Sequence, residues 1–290
     1  MTVRETVDNV TATALPLSKI KESIPRLFGI PSGVPGLDDL FFTFEYEGEE
    51  VKKVPLGGFP SSAVIHITGV PDTGKSLMGE QFALSQASRG YNVLFVSVEI
   101  PTPFLAQSLK ERARALRIDW EDIEDRIFVL DITKYPELRD NIVRLDRVIS
   151  ETIEENNIKS TVVDSITGLY EGKEMLARTI VRKLYEVMKR YYQTSIFISQ
   201  KRSSHEEESA EAAGGYAVPH ILDCTIVLSK MVLSSKALAN LYNRPLGDTI
   251  HTLRIDGCRM CGHDRRTHLV EIDERGIIKL VGPVENLIRR

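Results

Sequence analysis

The sequence predicts an α/β fold: a mostly parallel sheet flanked by helices, extended on its C-terminal side by antiparallel strands. Three observations predict it. Between residues 62 and 200, short β-branched runs alternate with helical runs, the pattern of parallel strands joined by crossover helices. One of those strands passes through a glycine-rich turn directly into a helix, at residues 62–84. Beyond residue 220 the strand runs follow one another closely without intervening helices, which indicates antiparallel pairing onto the same sheet.

The chain has 290 residues, 42% of them hydrophobic, enough for one large domain or two small ones. No internal repeat divides it. Residues 28–290 therefore read as one domain, and residues 1–27, which lack a clear period, as an N-terminal arm. A net charge of −4 disfavours non-specific attraction to nucleic acid or to an anionic membrane. No apolar run approaches the ~18 residues that a membrane-spanning helix needs. Asp8 and Asn9 fall where a signal peptide needs an apolar stretch. Three cysteines cannot all pair within one chain, which fits a reducing compartment. The expectation is a cytoplasmic protein with no membrane partner.

Residues 28–40 are turn-rich and end in a short apolar helix start. Residues 41–53 alternate aromatics with glutamates and read as a decorated surface loop, with a small hairpin as the alternative. Ser62-Ala63-Val64-Ile65-His66-Ile67-Thr68 is a buried strand, and Leu77 opens a helix whose following turn ends at Gly90. A second strand covers residues 91–98, with Glu99 at its end. Residues 103–116 form a helix with a basic face of Lys110, Arg112 and Arg114. A third strand covers residues 127–131. Residues 137–155 read as one amphipathic helix, with Leu138, Ile142, Leu145, Ile149 and Ile153 at helical spacing. A fourth strand at 160–164 ends in an acid. A helix at 174–191 and a fifth strand at 194–200 complete the alternation. Strands at 221–228, 249–255, 267–272 and 277–281 follow, the last pair joined by the turn Glu274-Arg275-Gly276.

The glycine-rich turn is Gly69-Val70-Pro71-Asp72-Thr73-Gly74-Lys75-Ser76, followed by Leu77. This is the G-x-x-x-x-G-K-S pattern of a P-loop in its proper place between strand and helix. Backbone N–H groups of such a turn converge on phosphate oxygens, and the helix N-terminus adds positive potential. Lys75 can reach the β- and γ-phosphates of ATP, and Ser76 can offer its hydroxyl to Mg²⁺. Asp72 is the odd member, because a carboxylate beside phosphates is unfavourable unless it points away or meets a cation. Ligands of parallel sheets bind at the carboxyl ends of the strands. Three residues there suit phosphoryl transfer: Asp164 to orient the Mg²⁺ shell, Glu99 to polarise the attacking water, and Gln200 to sense the γ-phosphate.

At this point the chain resembles a family. Gly33-Val34-Pro35-Gly36-Leu37-Asp38-Asp39-Leu40, then Gly57-Gly58-Phe59-Pro60, then the P-loop follow the opening pattern of KaiC-like ATPases of the RecA/RadA superfamily. Val96-Ser97-Val98-Glu99 resembles the strand that carries the superfamily's catalytic glutamate, and Val162-Val163-Asp164-Ser165 its Walker B pair. Arg259-Met260-Cys261-Gly262-His263-Asp264 is similar to the family's late Arg-Gly-x-x-x-His segment. The resemblance covers roughly residues 28–281. It implies a RecA-type P-loop NTPase core, ATP hydrolysis, and a homo-oligomer, usually a hexameric ring with ATP between subunits. Arg259 would then act in trans on a neighbour's nucleotide. Ile100 replaces the second of the family's two adjacent glutamates, and Gly257 stands where the family has a lysine. Residues 41–54 and 231–242 have the look of insertions. One RecA-type domain is present where the clock protein KaiC has two, so a circadian role is not implied. The chain is closer to the single-domain archaeal KaiC-like proteins. The charge of the loop after residue 200 favours a regulatory or scaffold ATPase, with a protein partner of unspecified kind, over one that binds DNA.

The alternative is a RadA/RecA-paralogue ATPase of DNA recombination or repair. In that group the loop after the sensor strand meets DNA. Here it contains Lys201 and Arg202, but also Glu206, Glu207, Glu208 and Glu211, which would repel phosphate. Cys258-x-x-Cys261-x-His263, with His268 nearby, invites a zinc reading. The competing reading is a strand-turn-strand with two small apolar thiols, Cys224 being isolated in sequence.

Overall fold

A computed structural model describes residues 14, 16–20, 24–201 and 217–288. Most of the arm at residues 1–27 and most of the loop that starts at Lys201 lie outside the described residues.

After the short antiparallel pair β1 (Gly29–Ile30) and β4 (Phe59–Pro60), β5 (Val64–Gly69) is the axis of the molecule, and all six of its residues are buried. A strand covered on both faces is mostly apolar or β-branched, which is why it reads so clearly in the sequence; its buried His66 has Nε2 2.7 Å from Ser199 Oγ. Ile65 and Ile67 enter one core and Val64 the other, as strand alternation requires. From β5 the chain runs through α1 (Lys75–Ser88) to β6 (Val93–Ser97), then α2 (Thr102–Ala115) and β7 (Ile127–Asp131). It continues through α3 (Pro136–Asp140) and α4 (Ile142–Glu155) to β8 (Ser160–Asp164). α5 (Ile166–Tyr170) and α6 (Ala177–Arg190) lead to β9 (Thr194–Gln200). α7 (Ala217–Ile221) precedes β10 (Cys224–Val232), and α8 (Lys236–Tyr242) precedes β11 (Thr249–Cys258). β12 (Gly262–His263), β13 (His268–Ile272) and β14 (Ile278–Pro283) follow.

Nine of these strands form one sheet in the order β14-β13-β11-β10-β5-β9-β8-β6-β7. Neighbours from β10 to β7 are parallel, and β10, β11, β13 and β14 pair antiparallel. One face is covered by α1 and α2, with Met78, Phe82, Leu105 and Leu109 packed on Ile65, Ile67, Ile226 and Leu228. The other is covered by α4 and α6, with Leu145, Ile149, Val181 and Leu184 packed on Val64, Val163 and Phe197.

Five expectations are corrected. The C-terminal strands are not free of helices, since α8 (Lys236–Tyr242) lies between β10 and β11. Residues 41–53 are not a loop but a hairpin, β2 (Phe41–Glu47) with β3 (Glu50–Pro55). Its base is joined by β12, which pairs Gly262 with Phe42 and His263 with Phe41. The predicted helix 137–155 is broken at Asn141, whose side chain accepts from the Arg144 N–H and so starts a new helix. The strand expected from residue 221 begins at Cys224, because residues up to Ile221 belong to α7. Arg112 is not on an exposed basic face. It is buried, with Nε 2.7 Å from Glu80 Oε2, and it also donates to the Gly276 carbonyl. Ser108 Oγ donates to the same Glu80 oxygen at 2.9 Å.

This pair ties α2 to α1, the helix behind the glycine-rich turn. Arg112→Ala is expected to cost about 3–5 kcal/mol of folding stability, because it leaves a buried carboxylate without its cation. The urea midpoint measures this, and a midpoint equal to wild type would show that the pair carries no such load.

The opening segment packs over α1. Gln81 Nε2 donates to the Gly33 carbonyl at 2.9 Å, and Gln86 Nε2 donates to the Pro31 carbonyl at 2.7 Å. A Cβ on Gly33 would come within 2.5 Å of the Gln81 carbonyl oxygen, so this glycine is required by close approach. α1 is therefore buried on nearly every side, with ten of its fourteen residues inside.

Candidate active site

β5, β9, β8 and β6 occupy consecutive positions in the sheet and all point the same way. Their carboxyl ends therefore lie side by side. Gly69 is level with Gln200, and Asp164 with Ser97, two residues before Glu99. Pro71, Asp72, Lys75, Ser76, Glu99, Ile100, Asp164, Ile198 and Gln200 line one cleft of about 200 Å³. Lys75, Ser76, Glu99, Asp164 and Gln200, far apart in the chain, are thus brought together. Leu77 turns its side chain to the core instead, and Thr73 is fully buried.

The loop is shaped by two residues with left-handed backbone, Asp72 at φ 63° and Gly74 at φ 91°. A Cβ on Gly69 would lie 2.4 Å from the Leu228 carbonyl oxygen, so only glycine fits between the loop and β10. Thr73 Oγ1 and Lys75 Nζ both donate to the Val70 carbonyl, at 2.9 and 2.7 Å, which draws the turn closed over α1. Burial pushes the Lys75 ammonium down to about 8, against the pull of Asp164 and Glu99. A cation so placed gains strongly from an anionic partner.

The Asp164 carboxyl is pushed up to about 6, chiefly by burial, opposed by a hydrogen bond with Ser76. Ser76 and Asp164 therefore form an oxygen pair beside the loop, the donor type that suits Mg²⁺. Glu99 is held by two donors, Ser165 Oγ and Gln200 Nε2, the latter 3.2 Å from Glu99 Oε2. The Gln200 amide reaches Glu99 directly, a contact the strand-end argument did not foresee. Asp72 does both things its position demands. Its side chain is 88% exposed, and Lys230 Nζ lies 3.2 Å from its Oδ2.

Arg259 is not brought to the cleft. Cys258, just before it, pairs with Cys224, which is level with Ile65 near the start of β5, while the P-loop leaves the other end of that strand. Arg259 donates to the His220 carbonyl, and its N–H donates to the Asp223 carbonyl at 2.9 Å. His263 is a β12 residue paired with Phe41. Cys258 and Cys261 place their sulfurs 3.7 Å apart, with Cys224 on the opposite strand. Among the described residues no group of three or more His, Cys, Asp and Glu side chains is placed to hold a metal ion.

Ser165, placed by the sequence only as the residue paired with Asp164, also donates to Glu99. Two contributors escaped sequence reasoning: Lys230, and His251, whose Nε2 lies 3.2 Å from the Asp72 carbonyl oxygen. They carry no local signal, since only the pairing of β10 with β5 and of β11 with β10 takes them to the loop.

A P-loop at the end of the central strand, with an acid, a second acid and an amide at the ends of the next strands, defines a P-loop nucleotide-binding protein of the RecA type. A family model of ATPases, KaiC, matches residues 30–283, and the chain belongs to that family. It is 24% identical over 261 residues to a UPF0273 protein of Thermotoga maritima, covering 86% of this chain and 94% of the relative. It is 25% identical over 280 residues to a UPF0273 protein of Aeropyrum pernix, covering 90% and 97%. In three dimensions it is similar to a KaiC-like protein of Pyrococcus horikoshii with a TM-score of 0.65 at 22% identity, covering 88% of this chain and 99% of that one. Among the described residues no helix is long and apolar enough to cross a membrane.

Proposed function

We propose that the protein binds and hydrolyses ATP with Mg²⁺, and that it works as a regulatory or scaffold ATPase assembled from several copies of itself. The observation that carries this reading is the convergence of Lys75, Ser76, Glu99, Asp164 and Gln200 on one cleft. ATP supplies the transferable phosphoryl group, and Mg²⁺ neutralises charge on it. The residues suit that chemistry. The loop amides and Lys75 bind the phosphates. Ser76 and Asp164 hold the metal shell. Glu99, aligned by Ser165 and Gln200, takes the proton of the attacking water at its carboxylate. Gln200 is then an aligning residue for the base as well as a γ-phosphate sensor. Assembly rests on the family resemblance; if Arg259 acts in trans, it does so on a neighbour's nucleotide, since it lies away from its own P-loop.

The experiment is Lys75→Ala. Losing a charge-assisted contact to the phosphates is expected to raise the Kd for a fluorescent ATP analogue by about 100-fold. Unchanged affinity would reject the assigned site.

A further inference from the structure

We infer that Lys230 is a positioning residue of the nucleotide site, neutralising the Asp72 carboxylate so that a polyphosphate can enter the P-loop beside it. The inference rests on the ATP reading above. Asp72 sits within the loop that receives the phosphates, in left-handed backbone, with its side chain almost fully in solvent. An isolated carboxylate there opposes a polyanion. The neutralising cation comes from β10. Leu228 is level with Gly69, and the strand continues two residues past it to Lys230, which brings the ammonium alongside the loop.

The neighbouring strand makes a second contact with the same residue. His251 is the cross-strand partner of Lys230, and its Nε2 lies 3.2 Å from the Asp72 carbonyl oxygen. One rung of the β10–β11 ladder thus holds both the carboxylate and the carbonyl of Asp72. The Lys230–Asp72 pair is too exposed to matter much for folding: partly solvated ion pairs contribute little stability. Its effect is on the field at the mouth of the cleft. With both partners present the mouth carries no net charge from them. Without Lys230, a bare carboxylate faces the incoming phosphates.

The test is a set of four proteins, wild type, Lys230→Met, Asp72→Asn and the double variant, titrated with a fluorescent ATP analogue at low and high salt. Lys230→Met is expected to raise Kd about tenfold at low salt, with the deficit shrinking at high salt as the carboxylate is screened. Asp72→Asn is expected to tighten binding about threefold, because the repulsive group is gone and the lysine is released. The double variant is expected to recover most of the affinity lost in Lys230→Met, and all four are expected to melt at similar temperatures. A purely structural lysine would not be rescued by changing Asp72. Wild-type affinity in Lys230→Met, or a double variant as weak as Lys230→Met, would overturn the inference while leaving the site itself standing. A wild-type protein that binds no nucleotide would remove the site reading and this inference together, and the Lys75→Ala control separates that case.

Discussion

Glu99→Gln is expected to hold ATP while hydrolysing it about 10²-fold or more slowly, a loss of roughly 3 kcal/mol of transition-state stabilisation. The substitution keeps the shape of the side chain and removes the group that takes the proton. Ser165 Oγ donates to Glu99 Oε1 and Gln200 Nε2 to Oε2, so the carboxylate is aligned from two sides. A glutamine can satisfy these contacts only in part, and it cannot act as the base. Ile100, next in sequence, brings no second carboxylate. Phosphate release under single-turnover conditions measures the effect, with analogue binding as the control. Hydrolysis at the wild-type rate would place the base elsewhere. Ser165→Ala should show a smaller loss in the same assay, because it loosens the base without deleting it.

Arg259→Ala is expected to depress hydrolysis by about 10³-fold without unfolding the protein, if its guanidinium stabilises the transferring phosphoryl group of a neighbour. An arginine suits this role because it stays charged and presents a planar fork of donors. Its place at the start of the parallel strands, away from its own P-loop, makes the effect testable by mixing. Arg259→Ala and Glu99→Gln subunits are each expected to be nearly inactive alone. In mixed assemblies some interfaces join an intact Glu99 to a neighbour's intact Arg259, and activity should return there. Mixtures that stay inactive, or a wild-type protein fully active as a monomer, would end the shared-site idea.

Much of this site was legible because buried parallel strands are almost unbroken β-branched runs. β8 and β9 begin and end where the sequence places them, and their last residues, Asp164 and Gln200, line the cleft for that reason. The hairpin at residues 41–55 was harder. Most of its side chains face solvent, and its third strand comes from Gly262 and His263, far along the chain. Arg112 looked like one of three surface cations, since periodicity cannot show that a helix face meets a buried glutamate. Lys230 lies at the edge of an apparent insertion, and its partner Asp72 is distant in sequence. Contacts of this kind depend on strand pairing and leave no local trace.

The four strand ends that build the cleft come from residues 69 to 200, nearly half the chain, and their order in the sheet, β5-β9-β8-β6, departs from their order in the sequence. Such a site depends on contacts between distant parts of the chain. Loop, acid, base and amide meet only after β6 and β8 have been threaded into place beside β9 and β5. Nucleotide therefore discriminates sharply between the native chain and every partly formed one. By mass action it draws the population toward the native state, adding RT ln(1 + [L]/Kd) to the unfolding free energy. On the proposed reading, the nucleotide that the protein hydrolyses is also a ligand that keeps it folded.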